Sequence, residues 1–223
     1  MLTVHHLNNS RSQRVLWLLE ELGVPYDIVR YERDPQTMLA PAALKKIHPL
    51  GKSPVVTEDG RTIAETGAII EYILSKHGGG RLVPERDTPD YLRYVYWLHY
   101  AEGSAMTPLL LKLIFNRIAA QRAPFFVRPI LKQIAGRVQT VLVDPQLKLH
   151  IGYWEDELGK SAWFAGNGFT AADIQMSFPA EAAASRAKFG DSYPRIRDFL
   201  ARIHARPAYE RALERGGPYA LGG

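Results

Sequence analysis

The chain has no cysteine. Disulfides, thiolate zinc sites, iron–sulfur clusters and cysteine nucleophiles are thereby excluded, which leaves oxygen and nitrogen groups or a group borrowed from a ligand. Apolar runs near the roughly 18 residues needed to cross a bilayer are also lacking. The strongest candidates, 15–19 and 108–111, are cut short by Glu20 and Lys112. The first residues carry His5, His6, Asn8, Asn9 and Arg11 where a secretory signal needs an apolar core, so a cytoplasmic location and no membrane partner are expected. The seven histidines show no ligand spacing, and His5 and His6 would point to opposite faces of a strand, so no metal is expected. Acid is missing from residues 103–143, which hold Lys112, Arg117, Arg122, Arg128, Lys132 and Arg137. Their spacing winds them around a helix instead of along one face. The stretch favours small anions, and no nucleic-acid partner is expected.

What remains is the composition of a folded protein. Of 223 residues, 46% are hydrophobic and 23% charged, and eight Phe, eleven Tyr and four Trp supply more apolar surface than a disordered chain carries. Residues 2–6 read as a strand. Val15, Leu18, Leu19 and Leu22 recur at helical spacing over 14–22, and Gly23 supplies a stop. Residues 26–31 and 54–57 read as further strands, and Asp59-Gly60 is a hairpin turn into a short strand at 61–64. A helix over 67–76 follows with Thr66 as its N-cap, and Gly78-Gly79-Gly80 breaks the pattern. Strand signals then vanish. A long helix over 91–120, bent at Pro108, precedes helices at 129–143, 152–158, 170–186 and 193–206. The expectation is a β-α-β-α-β-β-α domain over 1–79 and an all-helical bundle over 87–223.

Three features of the first domain converge on ligand binding. Asn8-Asn9-Ser10-Arg11-Ser12-Gln13-Arg14 is a polar loop ahead of a helix N-terminus, where free amides and the helix dipole favour an anion; Ser10 or Ser12 reads equally as an ordinary cap. In Gly51-Lys52-Ser53-Pro54-Val55-Val56, Pro54 opens a strand and belongs at an edge or turn. Ser53 before it could offer its backbone to an extended ligand, or the segment is a plain edge strand. Glu65-Thr66, at another helix start, could hold an amino-acid head group or serve only as a cap.

In this order the elements resemble the thioredoxin-like domain of the cytosolic glutathione S-transferases, of a bacterial-like, serine-type kind. Gly168-Phe169-Thr170-Ala171-Ala172-Asp173-Ile174 in the second domain matches that family's Thr-x-x-Asp capping box, with Phe169 and Ile174 as a hydrophobic staple. In that box Thr170 would cap the amide of Asp173 while Asp173 reaches back to Thr170. The resemblance implies a glutathione site in an α/β thioredoxin-like N-terminal domain followed by an all-α C-terminal domain. Lys52 would attract the glycine carboxylate, Ser53 beside Pro54 would pair with the cysteinyl backbone, and Glu65 and Thr66 would hold the γ-glutamyl end. Ser10, four residues before Arg14 as in the family's Ser-x-x-x-Arg, is the favoured thiol-activating hydroxyl. Arg11-Ser12-Gln13 lacks the usual proline context, so Ser12 and Asn9 stay as rivals. The implied reaction is addition of glutathione, as cosubstrate, to a small hydrophobic electrophile held against the long helix by Ala105, Met106 and Leu109. Alternatives on the same site are glutathione-dependent disulfide or peroxide reduction, or a non-catalytic ligand-binding or docking role. A homodimer is expected.

Overall fold

The computed structural model describes residues 1–34, 36–187, 192–217 and 219. Four strands form one mixed sheet in the order β2-β1-β3-β4. β1 (Leu2–Leu7) runs parallel to β2 (Tyr26–Tyr31), and the crossover between them is α1 (Ser12–Leu22). β3 (Val55–Glu58) is antiparallel to β1, and β4 (Arg61–Ala64) closes the hairpin through Asp59-Gly60. Between β2 and β3 the only helical element among the described residues is a five-residue 3-10 turn, Ala42–Lys46, in place of the second helix of the expected order. α2 (Thr66–His77) completes the unit. Its N-cap position is Glu65 and not Thr66, which is the first helical residue.

α1 stops at Gly23, which takes the left-handed conformation (φ 62°) that a side chain disfavours. The helix is buried on nearly every side: Val15, Leu16, Leu18 and Leu19 have no exposed surface. It must be, since β1, α2 and two helices of the second domain all pack against it.

The expected long helix is two helices. α3 (Pro89–Tyr100) and α4 (Met106–Ala120) are joined by a π-helical segment, Ala101–Ala105. The wider turn comes just before Pro108, whose missing amide leaves the Ser104 carbonyl without its α-helical donor. α5 (Arg128–Val138) continues through a second π segment, Gln139–Val143, into α6 (Asp144–Glu157), so the 129–143 and 152–158 patterns belong to one nearly continuous rod. α7 (Ala171–Ala187) is the central helix, and α8 (Pro194–His204) lies beside it. α9 (Pro207–Gly216) went unread in the sequence; it packs along α1 and ties the last helix to the first domain.

Half of the expected box forms before α7. Asp173 does reach back, accepting the Thr170 amide at 2.8 Å and the Thr170 hydroxyl at 3.0 Å. The Asp173 amide, however, bonds the Thr170 carbonyl at 3.1 Å, so the Thr170 hydroxyl is a donor and caps no amide. The second carboxylate oxygen takes the Phe164 amide at 2.9 Å, pinning the preceding loop to the helix start. Phe169 packs on Trp17 and Trp163, across the domain boundary.

Candidate active site

A cleft of about 780 Å³ lies between the ends of β1 and β3, the start of α2, and the inner faces of α4 and α7. Asn9, Ser10, Lys52, Ser53, Pro54, Glu65, Thr66 and Met106 all line it. Ala105 and Leu109 do not: both are fully buried in the core, on the inward side of the turns that present Met106 and Leu110 to the cleft.

Ser12 is also outside the lining. Its hydroxyl points back beneath β1, 2.8 Å from His6 Nδ1 and 3.3 Å from the Leu7 amide and carbonyl, and the residue has no exposed surface. Ser10 Oγ sits 2.7 Å from Ser12 Oγ and accepts the Ser12 amide at 3.2 Å. His6 fixes the direction of this chain. Burial holds its imidazole down to about 4, so it is neutral at neutral pH, and we assign its one ring hydrogen to Nε2, on the side of the Gly216 backbone. Nδ1 is then an acceptor, and the Ser12 hydroxyl donates to it. The hydrogen of Ser10 is left to choose between Ser12 Oγ and the cleft.

Arg14, at the spacing noted in the sequence, is fully inside. One guanidinium nitrogen donates to the Gln175 carbonyl at 2.5 Å on α7, and the other pairs with Glu102 on the π segment. Glu102 also lies 3.4 Å from Arg11. Burial pushes the Glu102 carboxyl up, but Arg14 and Arg11 together overcome it and hold it below the usual range. This triad fixes the N-terminus of α1, and with it Ser10, against the helical domain.

Across the cleft, the Ser53–Pro54 peptide is cis. The Ser53 hydroxyl donates to the His5 carbonyl at 2.9 Å, which locks the residue to β1. Its own amide and carbonyl take no backbone partner among the described residues. Lys52 is exposed and pairs with no acid among them. Glu65 is held at φ 69°, a left-handed conformation costly for a residue with a Cβ and common at ligand sites. Behind it α2 begins at Thr66, which also lines the cleft, and the first amides of a helix have no helical partners. Among the described residues no group of three or more His, Asp or Glu could hold a metal ion, and no helix is long and apolar enough to cross a membrane.

Sequence reasoning passed over His6, Arg11 and Glu102. Glu102 had a signal, being the only acid between Asp90 and Asp144; His6 had none, because its partners come from α1 and from α9.

A small mixed sheet with a cis proline at one strand end, joined to an all-helical domain across a polar cleft, defines the class of two-domain proteins built on a thioredoxin-like unit. Residues 10–76 match the glutathione S-transferase N-terminal domain, and residues 118–207 match the C-terminal domain. Glutathione S-transferase 3 of Schizosaccharomyces pombe is 36% identical over 215 residues, covering 96% of this chain and 88% of that protein. Glutathione S-transferase 1 of Saccharomyces cerevisiae is 32% identical, covering 96% and 95%. A solved glutathione S-transferase from Actinobacillus pleuropneumoniae superposes with a TM-score of 0.76 at 30% identity, over 99% of this chain and 95% of that one. The chain belongs to the glutathione S-transferase family.

Proposed function

We propose that the chain binds glutathione along the Lys52–Pro54 and Glu65–Thr66 side of the cleft, activates its thiol through Ser10, and delivers the thiolate to an electrophile held against α4 and α7. The observation that carries this reading is the uncommitted hydrogen of Ser10. Ser12 spends its own hydrogen on His6 and its amide on Ser10 Oγ, so Ser10 can turn its O–H toward a sulfur in the cleft without orphaning any group. The free backbone groups of Ser53 suit an extended peptide-like ligand, and the α2 amides beside Glu65 suit an α-amino acid head group. Lys52 supplies the charge for a terminal carboxylate.

One hydrogen bond supplies most of the energy this activation needs. A free thiol with pKa near 8.5 is only a few per cent thiolate at neutral pH. Lowering it by about two units requires roughly 2.7 kcal/mol, and one hydrogen bond to a charged acceptor supplies about 1.5–3 kcal/mol. The thiol proton leaves to solvent, the sulfur lone pair forms the new bond to the electrophilic carbon, and the leaving group departs with its electron pair. The nucleophile is the cosubstrate's cysteine, in keeping with a chain that has none. A homodimer and a cytoplasmic location complete the proposal, the former supported by exposed Leu92 and Tyr96 on α3 and Leu149 on α6.

Ultraviolet thiolate absorbance of the glutathione complex, titrated from about pH 5 to pH 9, tests the reading below tyrosine ionisation. The protein has no thiol of its own, so the signal belongs to the ligand. A depressed pKa that returns toward the free value in Ser10→Ala is the expected result. Binding without a depressed pKa points instead to a storage or docking role, and absence of binding overturns the proposal.

A further inference from the structure

The electrophile side of the cleft is not simply apolar. Met106, Leu110, Leu113 and Phe178 line it, but Arg117 from α4 and Arg186 from α7 stand among them, and Arg11 and Arg33 border it from the first domain. Acid is scarce here. Glu102 is taken by Arg14 and Arg11, and Glu65 sits at the glutathione end. Neither Arg117 nor Arg186 has an acidic partner among the described residues. Arg33 spends its guanidinium on the carbonyls of Asn8, Asn9 and Met38, which satisfies its donors but leaves its charge.

Arg186 is the telling member. Its Nε is buried without a hydrogen-bond partner, and its one hydrogen bond among the described residues is a long 3.4 Å bond to the Leu109 carbonyl. A half-buried guanidinium with an orphaned donor is costly unless something fills the space it faces. Burial and then the neighbouring charge of Arg117 both push Arg186 below its usual range, and the same two causes act on Arg33, so these cations repel one another across the opening. Mutual repulsion with no counter-charge, beside an apolar wall, is the arrangement a bound organic anion relieves.

We propose that this half of the cleft is an anion subsite, in which Arg186 and Arg117 hold the carboxylate or sulfonate of an otherwise apolar second substrate while Met106, Leu110 and Phe178 pack its body. The proposal rests on the glutathione reading above and narrows its electrophile from a merely hydrophobic compound to an amphipathic anion.

Equilibrium binding separates the two claims, because it needs no turnover. The probes are S-benzylglutathione and its 3- and 4-carboxybenzyl counterparts, measured by calorimetry against the full chain. A carboxylated probe is expected to bind about tenfold tighter than the neutral one at low salt, the worth of one charge-assisted hydrogen bond. That ratio is expected to fall toward one in Arg186→Gln, in Arg117→Gln, and at 0.5 M salt for wild type (~3–5 Å screening length). Arg117 lies at an exposed helix position, so its variant stays informative should Arg186→Gln fold poorly. Equal affinity for neutral and carboxylated probes overturns the anion subsite and leaves glutathione binding intact. A preference that survives both variants overturns the assignment to these arginines. Failure of all the probes to bind overturns the glutathione reading itself.

Discussion

The Ser12 hydroxyl stands 2.7 Å from Ser10 Oγ on one side and 2.8 Å from His6 Nδ1 on the other, so the cleft hydroxyl is wired to a buried imidazole through a second serine. The two serines therefore differ in what their loss does. Ser12→Ala leaves His6 Nδ1 and the Leu7 amide without their buried partner, at an expected cost of about 1–3 kcal/mol. Ser10→Ala leaves one buried group, the Ser12 amide, without its acceptor, a smaller loss than the two orphans of Ser12→Ala, and its distinguishing effect falls on the thiol: a rise of one to two units in the pKa of bound glutathione, by the hydrogen-bond strength used above. Denaturant melts and the thiolate titration, run on both variants, should separate cleanly. A Ser12→Ala protein of normal stability whose bound thiol behaves as the free one would reverse the roles.

The same imidazole sets a pH window. Burial lowers His6 from 6.5 to about 4, with the Gly216 carbonyl opposing the shift and Arg30 adding to it. Between these values the unfolded chain binds a proton that the folded chain refuses, so stability rises with pH across the window and is lost as pH falls through it. The full shift corresponds to roughly 3 kcal/mol. We expect the difference in unfolding free energy between wild type and His6→Asn to shrink from pH 7 to pH 4, because Asn can still accept from Ser12 but has no proton to gain. A difference independent of pH would mean that His6 titrates normally.

The one-sided capping box makes the two residues of the Thr-x-x-Asp motif unequal. Thr170→Ala removes one donor to Asp173 and should cost about 1 kcal/mol. Asp173→Ala removes the acceptor of the Thr170 and Phe164 amides together, in a fully buried position, and should cost about 2–5 kcal/mol. Thermal unfolding of the two variants checks the order. Equal losses would show that the Thr170 hydroxyl does more than donate to Asp173.

What the sequence makes legible here are features whose cause is local. Val15, Leu18, Leu19 and Leu22 mark α1, Asp59-Gly60 marks the hairpin, and Lys52, Ser53, Glu65 and Thr66 reach the cleft because each sits at an element end whose backbone groups are free. Features made by distant partners were hidden. Ser10 and Ser12 look alike as loop hydroxyls, and only the His6 ring beneath β1 tells which one is spent. Ala105 and Leu109 share the apolar character of a lining, but the π segment ahead of Pro108 rotates them into the core and turns Met106 and Leu110 outward. α9 was missed because the 193–206 pattern runs straight up to Pro207, and its worth comes from pairing with α1.

That pairing supports a last prediction. Arg206, just ahead of α9, makes bonds of 2.5 and 2.9 Å to the Glu21 carboxylate on α1, and its guanidinium lies 3.8 Å above the Phe169 ring. Glu21 also accepts the Trp17 indole N–H at 2.8 Å and is only 10% exposed. Glu21→Gln keeps the volume but removes the charge: the amide oxygen at the Oε1 position can still accept from Trp17 and from Arg206 Nε, but the amide NH2 replaces the acceptor of Arg206 Nη2 with a second donor, while Arg206 stays partly covered. The expected loss is about 1–3 kcal/mol. It should be accompanied by a shift in Trp17 emission, since the indole loses a charged acceptor, and by faster hydrogen exchange in α9 ahead of the rest of the helical domain. If α9 exchanges as slowly in the variant as in wild type, its attachment to α1 rests on apolar packing through Tyr209 and Ala212 and not on this ion pair.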